Sequence, residues 1–258
     1  MTWSPARLAI PLVLAVTCAA CHPSPRVPDL SGVWAPNWTD QQAQVTSNPA
    51  PWTPAARAVV QRLTGDEAAG RPKGLFVNCL PEGMPSWMLV SHSAMEILLT
   101  PGRVTMLGEA DGNQMRRIYT DGRPHPDDPA PSFHGHSIGR WEGDTLVVDT
   151  IAVLPQSYVA ISEAVGVPND GDLHVVERIH LTSPGVLHDE LEITAPRIFT
   201  GPWRTTREYF RQRGREHDLI ESVCLQGHVI ETKDEDGNAA FAPAPQTPLG
   251  TPREPEEK

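Results

Sequence analysis

At 258 residues the chain is long enough for one large or two small domains, and its 39% apolar content supplies an ordinary core but too little for several membrane spans. Twenty-one basic against 32 acidic residues leave a formal charge of -11, which repels phosphate backbones and anionic headgroups and argues against nucleic acid as a partner. The 27 prolines and 20 glycines favour many short elements joined by turns over long helices.

Residues 1–20 carry Arg7, an apolar run from Leu8 to Val16, and then small residues up to Cys21. That is the layout of a secretory signal peptide, too short to span a membrane. Thr17-Cys18-Ala19-Ala20-Cys21 resembles the bacterial lipoprotein box. The resemblance implies lipidation at Cys21, with ordinary cleavage into the periplasm as the alternative. Both readings export the chain to the cell envelope, with an N-terminal lipid as its only expected membrane contact. In that oxidising compartment the two body cysteines, Cys79 and Cys224, are expected to pair as a disulfide, worth roughly 4–5 kcal/mol in the chain-entropy model. A catalytic thiol or a metal pair is the rival reading, and no C-x-x-C outside the leader supports it. Residues 21–29 form a Pro-rich tether suited to an extended conformation.

The folded body is expected over 30–234 as a single domain. Thr53 as a cap, Pro54 at the first helical position, and Ala56, Val59, Val60 and Leu63 on one face predict a short helix near 53–69. A turn-rich arm follows, containing Asn78-Cys79-Leu80-Pro81-Glu82-Gly83. From Ala94 the period changes to two and turn signals arrive at short intervals. Strands are expected over Met95 to Thr100, Arg103 to Glu109, Gln114 to Thr120, Ser137 to Trp141, Thr145 to Ile151, Leu173 to Thr182, Val186 to Thr194, Trp203 to Phe210 and Asp218 to Cys224, with a short one from Leu30 to Trp34. Consecutive hairpins in that number lose their edges only by closing, which predicts an all-β, antiparallel up-and-down barrel with a short N-terminal helix and arm. Residues 235–258 are Pro- and acid-rich and read as a disordered tail.

Leu30-Ser31-Gly32-Val33-Trp34 resembles the G-x-W opening of calycin and lipocalin barrels, whose tryptophan plugs the closed end. A longer succession runs through Asn78-Cys79-Leu80-Pro81, Asp121-Gly122-Arg123-Pro124-His125-Pro126, Gly135-His136-Ser137-Ile138-Gly139-Arg140-Trp141-Glu142-Gly143-Asp144, His174-Val175-Val176-Glu177-Arg178 and Pro202-Trp203. It resembles a family of uncharacterised exported bacterial proteins. That resemblance implies an envelope location and a calycin-like barrel, and brings no assigned activity or site residues.

Two constellations are candidates for chemistry. Asp121, Arg123 and His125, with His134 and His136, bracket a Pro-rich loop of the kind that rims a barrel. They suit turn hydrogen bonds, acid/base work or metal ligation, and an extended His134-Gly135-His136 would point both rings to one side. The second lies in the hairpin of Leu173 to Thr182 and Val186 to Thr194. Setting Leu181 opposite Leu187 places Ile179 by Asp189 and Glu177 by Leu191, so the two carboxylates become diagonal neighbours on an apolar face. There they serve either as acid and base or as structural partners of Arg103, Arg116 or Arg207. Alternation does not assign Asp149 to a face, whereas His174 and Arg178 fall opposite Glu177.

Dinucleotide loops, P-loops and H-E-x-x-H are absent, and no cofactor is expected. One reading is an exported, lipid-anchored barrel that binds a small apolar or amphipathic molecule in its lumen, with Asp121, Arg123, Tyr119 and Trp141 as ligand contacts. The alternative is a cofactor-independent isomerase, cyclase or lyase using His136, His125, Glu177 and Asp189 in the lumen. An envelope structural protein is a third.

Overall fold

The computed structural model describes residues 28–76, 80–90, 93–222, 229–233 and 239–243. Nine strands close into a barrel. In chain order the elements are β1 (Gly32–Pro36), α1 (Trp38–Thr46), α2 (Pro54–Ala68), α3 (Ser86–Val90), β2 (Met95–Thr100), β3 (Arg103–Gly108), α4 (Ala110–Asn113), β4 (Met115–Tyr119), β5 (His136–Glu142), β6 (Thr145–Ile151), β7 (Tyr158–Ala160), β8 (Gly166–Pro168), β9 (His174–Ser183), β10 (Val186–Thr194) and β11 (Trp203–Arg211). The wall runs β1-β11-β10-β9-β6-β5-β4-β3-β2 and returns to β1, while β7 and β8 form a separate ribbon between β6 and β9.

The sheet is mixed, which corrects the expected antiparallel meander: β4 and β5 run parallel, with Ile118 beside Ser137 and Tyr119 beside Ile138. Geometry requires one such pair. A closed ring of alternating strands must hold an even number, and nine strands close only if two neighbours share a direction. Parallel neighbours need a long crossover, supplied here by the Pro-rich segment between Tyr119 and His136.

Predicted α2 forms as expected: Thr53 Oγ1 accepts from Ala56 N at 3.3 Å, and the helix buries Ala56 and Leu63 with Val59 and Val60 packed alongside. The short α3, not anticipated in the arm, buries all five of its residues. Ser86 Oγ donates to Tyr158 O at 2.6 Å, and the Met88 carbonyl accepts from Tyr209 Oη at 2.8 Å and Arg207 Nε at 3.3 Å. Thus α3 joins the β7–β8 ribbon to the barrel interior. Trp34 is fully buried, donates its indole N–H to Leu30 O at 2.9 Å, and lies 4.2 Å beneath the Arg211 guanidinium. Arg211 also donates to the carbonyls of Asp29, Ser31 and Pro184, binding the first strand to a hairpin turn.

After β11, Arg215–His217 form a 3-10 turn and residues 218–222 carry no strand, although one was expected from Asp218. Ile220 N instead donates to Glu109 Oε1 at 3.0 Å and Ser222 N to Asn113 Oδ1 at 2.7 Å. Two more strands, β12 (Val229–Lys233) and β13 (Ala239–Pro243), pair with each other, and β13 falls inside the stretch read as a disordered tail. The leader, most of the tether with Cys21, and both Cys79 and Cys224 lie outside the described residues.

Candidate functional site

Inside the barrel the predicted hairpin register holds: Leu181 faces Leu187, Ile179 faces Asp189 and Glu177 faces Leu191. Glu177 and Asp189 both point into the lumen and are wholly buried. Of the three candidate arginines, Arg116 from β4 is the one that meets Glu177. Its Nη1 donates to Oε1 at 2.8 Å and its Nη2 to Oε2, a bidentate pair. The same guanidinium donates to Thr150 Oγ1 at 3.0 Å and Ser137 Oγ at 3.3 Å, and those hydroxyls bond each other at 2.8 Å.

Arg207 sits directly across from Asp189 in the β10–β11 register. Its Nη1 lies against the Asp40 carboxylate as an ion pair, off hydrogen-bond alignment, while neither oxygen of Asp189 has a hydrogen-bond partner among the described residues. Burial pushes the Asp189 carboxyl well above the usual carboxylate range, and nearby Glu177 adds to the rise while Arg116 and Arg207 oppose it. Trp34, Met106, Ile118 and Tyr209 are wholly buried around this charged centre. The barrel axis is therefore filled by an ion-paired core.

On the other face of the wall, a second cluster gathers. His136, Asp149 and His174 occupy neighbouring strands β5, β6 and β9, each alternating with an inward residue: Ser137, Thr150 and Val175. The crossover segment brings His125 over them. His125 Nε2 bonds Asp149 Oδ1 at 3.0 Å, and His174 Nε2 bonds the other oxygen at 3.1 Å. His125 Nδ1 meets His136 Nδ1 at 2.7 Å. Tyr119 stacks on His136 with ring centroids 5.5 Å apart, and the Arg123 guanidinium lies 4.3 Å over the Tyr119 ring while bonding Asp121. Burial, with His125 and Arg123 nearby, holds the His136 imidazole below its ordinary value.

The convergence of His136 with Glu177 or Asp189 that the luminal enzyme alternative requires does not occur, because they face opposite sides of one sheet. Of the four residues expected as luminal ligand contacts, Trp141 alone shares the inward parity of Ser137 and packs on the core, whereas Tyr119, Asp121 and Arg123 gather on the outer face. Nor do His134 and His136 share a side. Gly135 adopts φ +66, so the chain turns between them. His134 packs against Trp87 with centroids 5.0 Å apart, and burial and Arg116 push its pKa down to about 4. A Cβ at Gly135 would stand 2.5 Å from Ile151 O. Gly135→Ala is thus expected to lose about 1–3 kcal/mol of stability in a urea titration. An unchanged midpoint would contradict this account of the turn.

Among the described residues no group of three or more His, Cys, Asp or Glu is arranged to hold a metal ion. His125 has both ring nitrogens engaged, which leaves it no free lone pair for ligation. A third feature is an apolar cavity of about 380 Å³ outside the lumen. Leu75, Phe76, Leu80, Phe133, Leu154 and Tyr158 line it, and none of these lies on a barrel strand. Periodicity along the chain gives no sign of it, since its walls come from the arm, the crossover and the β6–β7 connection.

Fold and sites together define a closed nine-stranded β-barrel with a charged core, an outer-wall histidine cluster and an external apolar cavity. No protein-family model and no curated protein matches the chain.

Proposed function

We propose that the protein is an exported, lipid-anchored barrel of the calycin-like type that binds a small apolar or amphipathic molecule outside its lumen. The observation that carries this reading is the external cavity, apolar on most sides, with Gln156 and Ser157 at its wall as polar anchors. Residues 1–21 support export and lipidation, and buried Trp34 after Gly32 supports the calycin-like type. The axis of the barrel, filled by Arg116, Glu177, Arg207 and their neighbours, offers less support for a luminal site.

The test is native mass spectrometry of the mature protein taken from its own envelope extract, with fluorescence titration by 1-N-phenylnaphthylamine. A retained organic mass lost on denaturation is expected, together with a diacylglyceryl increment at Cys21. Phe133→Ala removes one aromatic wall and is expected to weaken the fluorescent ligand about tenfold. A bare chain whose affinity for that ligand ignores Phe133→Ala would overturn the reading.

The chain Asp149–His125–His136 favours acid/base chemistry as a second reading, now on the outer wall rather than in the lumen.

A further inference from the structure

The segment from Thr120 to Gly135 is tied down by backbone at its two ends. Thr120 N donates to Gly102 O at 2.9 Å, and Ser132 N to Ala152 O at 3.1 Å. Between those anchors, among the described residues, the hydrogen bonds that reach the barrel wall are the two made by the His125 ring. Four prolines, at 124, 126, 129 and 131, leave this stretch few backbone donors with which to build an alternative.

The proton count at those bonds is constrained. Asp149 accepts from His125 Nε2, so that nitrogen carries hydrogen. His125 Nδ1 and His136 Nδ1 face each other at 2.7 Å, and a bond forms only if one of them is protonated and the other bare. Two neutral rings satisfy this, and so does one imidazolium beside one imidazole. Two imidazoliums do not, because both facing nitrogens then carry hydrogen and positive charge.

We propose that the His125–His136 contact is an acid-labile clasp: it closes while the rings share one Nδ1 proton and opens when both are charged, which loosens residues 121–131 by leaving them on the His125–Asp149 bond alone. The surrounding charges set its direction. From β6, Asp149 is the one carboxylate on the rings, and it serves both His125 and His174 of β9. From the crossover, Arg123 adds positive charge that Asp121 offsets. From β3, Arg103 lies 6.0 Å from the Tyr119 ring of β4. Farther along β5 and β9, Arg140 and Arg178 are both paired with Glu142. In acid, charge on the rings adds to that of Arg123 and Arg103, and the carboxylates bonded within the patch are Asp149 and Asp121. Burial, with His125 and Arg123 nearby, accordingly holds the His136 imidazole below its ordinary value. His125 and His174 each keep their bond to Asp149 when charged, so the break falls between His125 and His136.

Nuclear magnetic resonance on the full mature protein tests this in two ways. Backbone order parameters of Gly122, Arg123, Asp127, Asp128 and Ala130 are expected near 0.8 at pH 7.5 and below about 0.6 at pH 5, with β9 and β10 unchanged. In His136→Gln, which cannot titrate, the step between the two pH values is expected to vanish. No step in the natural protein, or a step that survives His136→Gln, would overturn the clasp. The second measurement needs no variant: imidazole nitrogen spectra at pH 7.5 should show one of the two Nδ1 atoms protonated and the other bare. Two Nε2–H tautomers with both Nδ1 atoms bare would overturn it as well.

Discussion

Arg116→Met is expected to cost the barrel about 3–5 kcal/mol, because it strands the Glu177 carboxylate in a lumen that water does not reach. The loss belongs to the uncompensated charge rather than to the packing of a guanidinium. Replacing both partners, Arg116→Met with Glu177→Leu, should therefore recover most of it, and it leaves Ser137 and Thr150 still bonded to each other. Denaturant midpoints of the two single variants and the double variant measure this directly. Equal losses in Arg116→Met and in the double variant would mean that size and shape, not charge, hold the centre of the barrel.

Asp189→Asn should have the opposite sign at neutral pH. The folded-state pKa of Asp189 is raised by burial and by Glu177, so the fold holds a proton that the unfolded chain releases above about pH 3.9. The stability tied to that proton is fully present below the unfolded value and is lost as pH rises through the folded one. Asparagine keeps the shape of the neutral acid without that loss. The variant is expected to exceed the natural protein by about 1 kcal/mol or more at pH 7.5, and to match it near pH 3.5. Asp29, Asp121, Glu142 and Glu208, all held below their ordinary values, titrate alike in both proteins, so they cancel in the difference. A less stable variant at pH 7.5 would show that Arg207 keeps Asp189 ionised in the fold.

Both effects arise in the part of the molecule that local pattern predicts well. Ser183-Pro184-Gly185 marks a turn, strict alternation marks the inner face on either side of it, and together they are enough to set Glu177 and Asp189 on one diagonal, where the barrel has them. The same pattern leaves the partner of Glu177 open among three arginines, since that choice depends on which strands become neighbours around the ring. Direction is hidden in the crossover, because turn spacing says nothing about a strand that returns after a long excursion. Asp149 is ambiguous for a local reason: Val147, on its outward face, is as buried as Val148 and Leu146, so hydrophobicity does not alternate there. Its meeting with His125 and His174 joins three separate segments, and only the closed wall brings them together. Gly135 misleads in a different way, since its left-handed backbone undoes the extended geometry expected of the two flanking histidines.

The first strand of the barrel is also its last piece. With β2 on one side and β11 on the other, β1 pairs with the earliest and the latest hairpins of the wall. Loop closure over nearly the whole domain must precede the final ladder, which places the barrel among slow-folding, high-contact-order topologies. During synthesis β1 can find β2 early, yet its other edge stays bare until Arg211 has emerged. A chain ending before Trp203 would present the unpaired edges of β1 and β10 to any neighbouring copy, the usual starting point for strand-to-strand aggregation. Ring closure thus makes completion of the chain, rather than formation of any local hairpin, the event that removes this hazard.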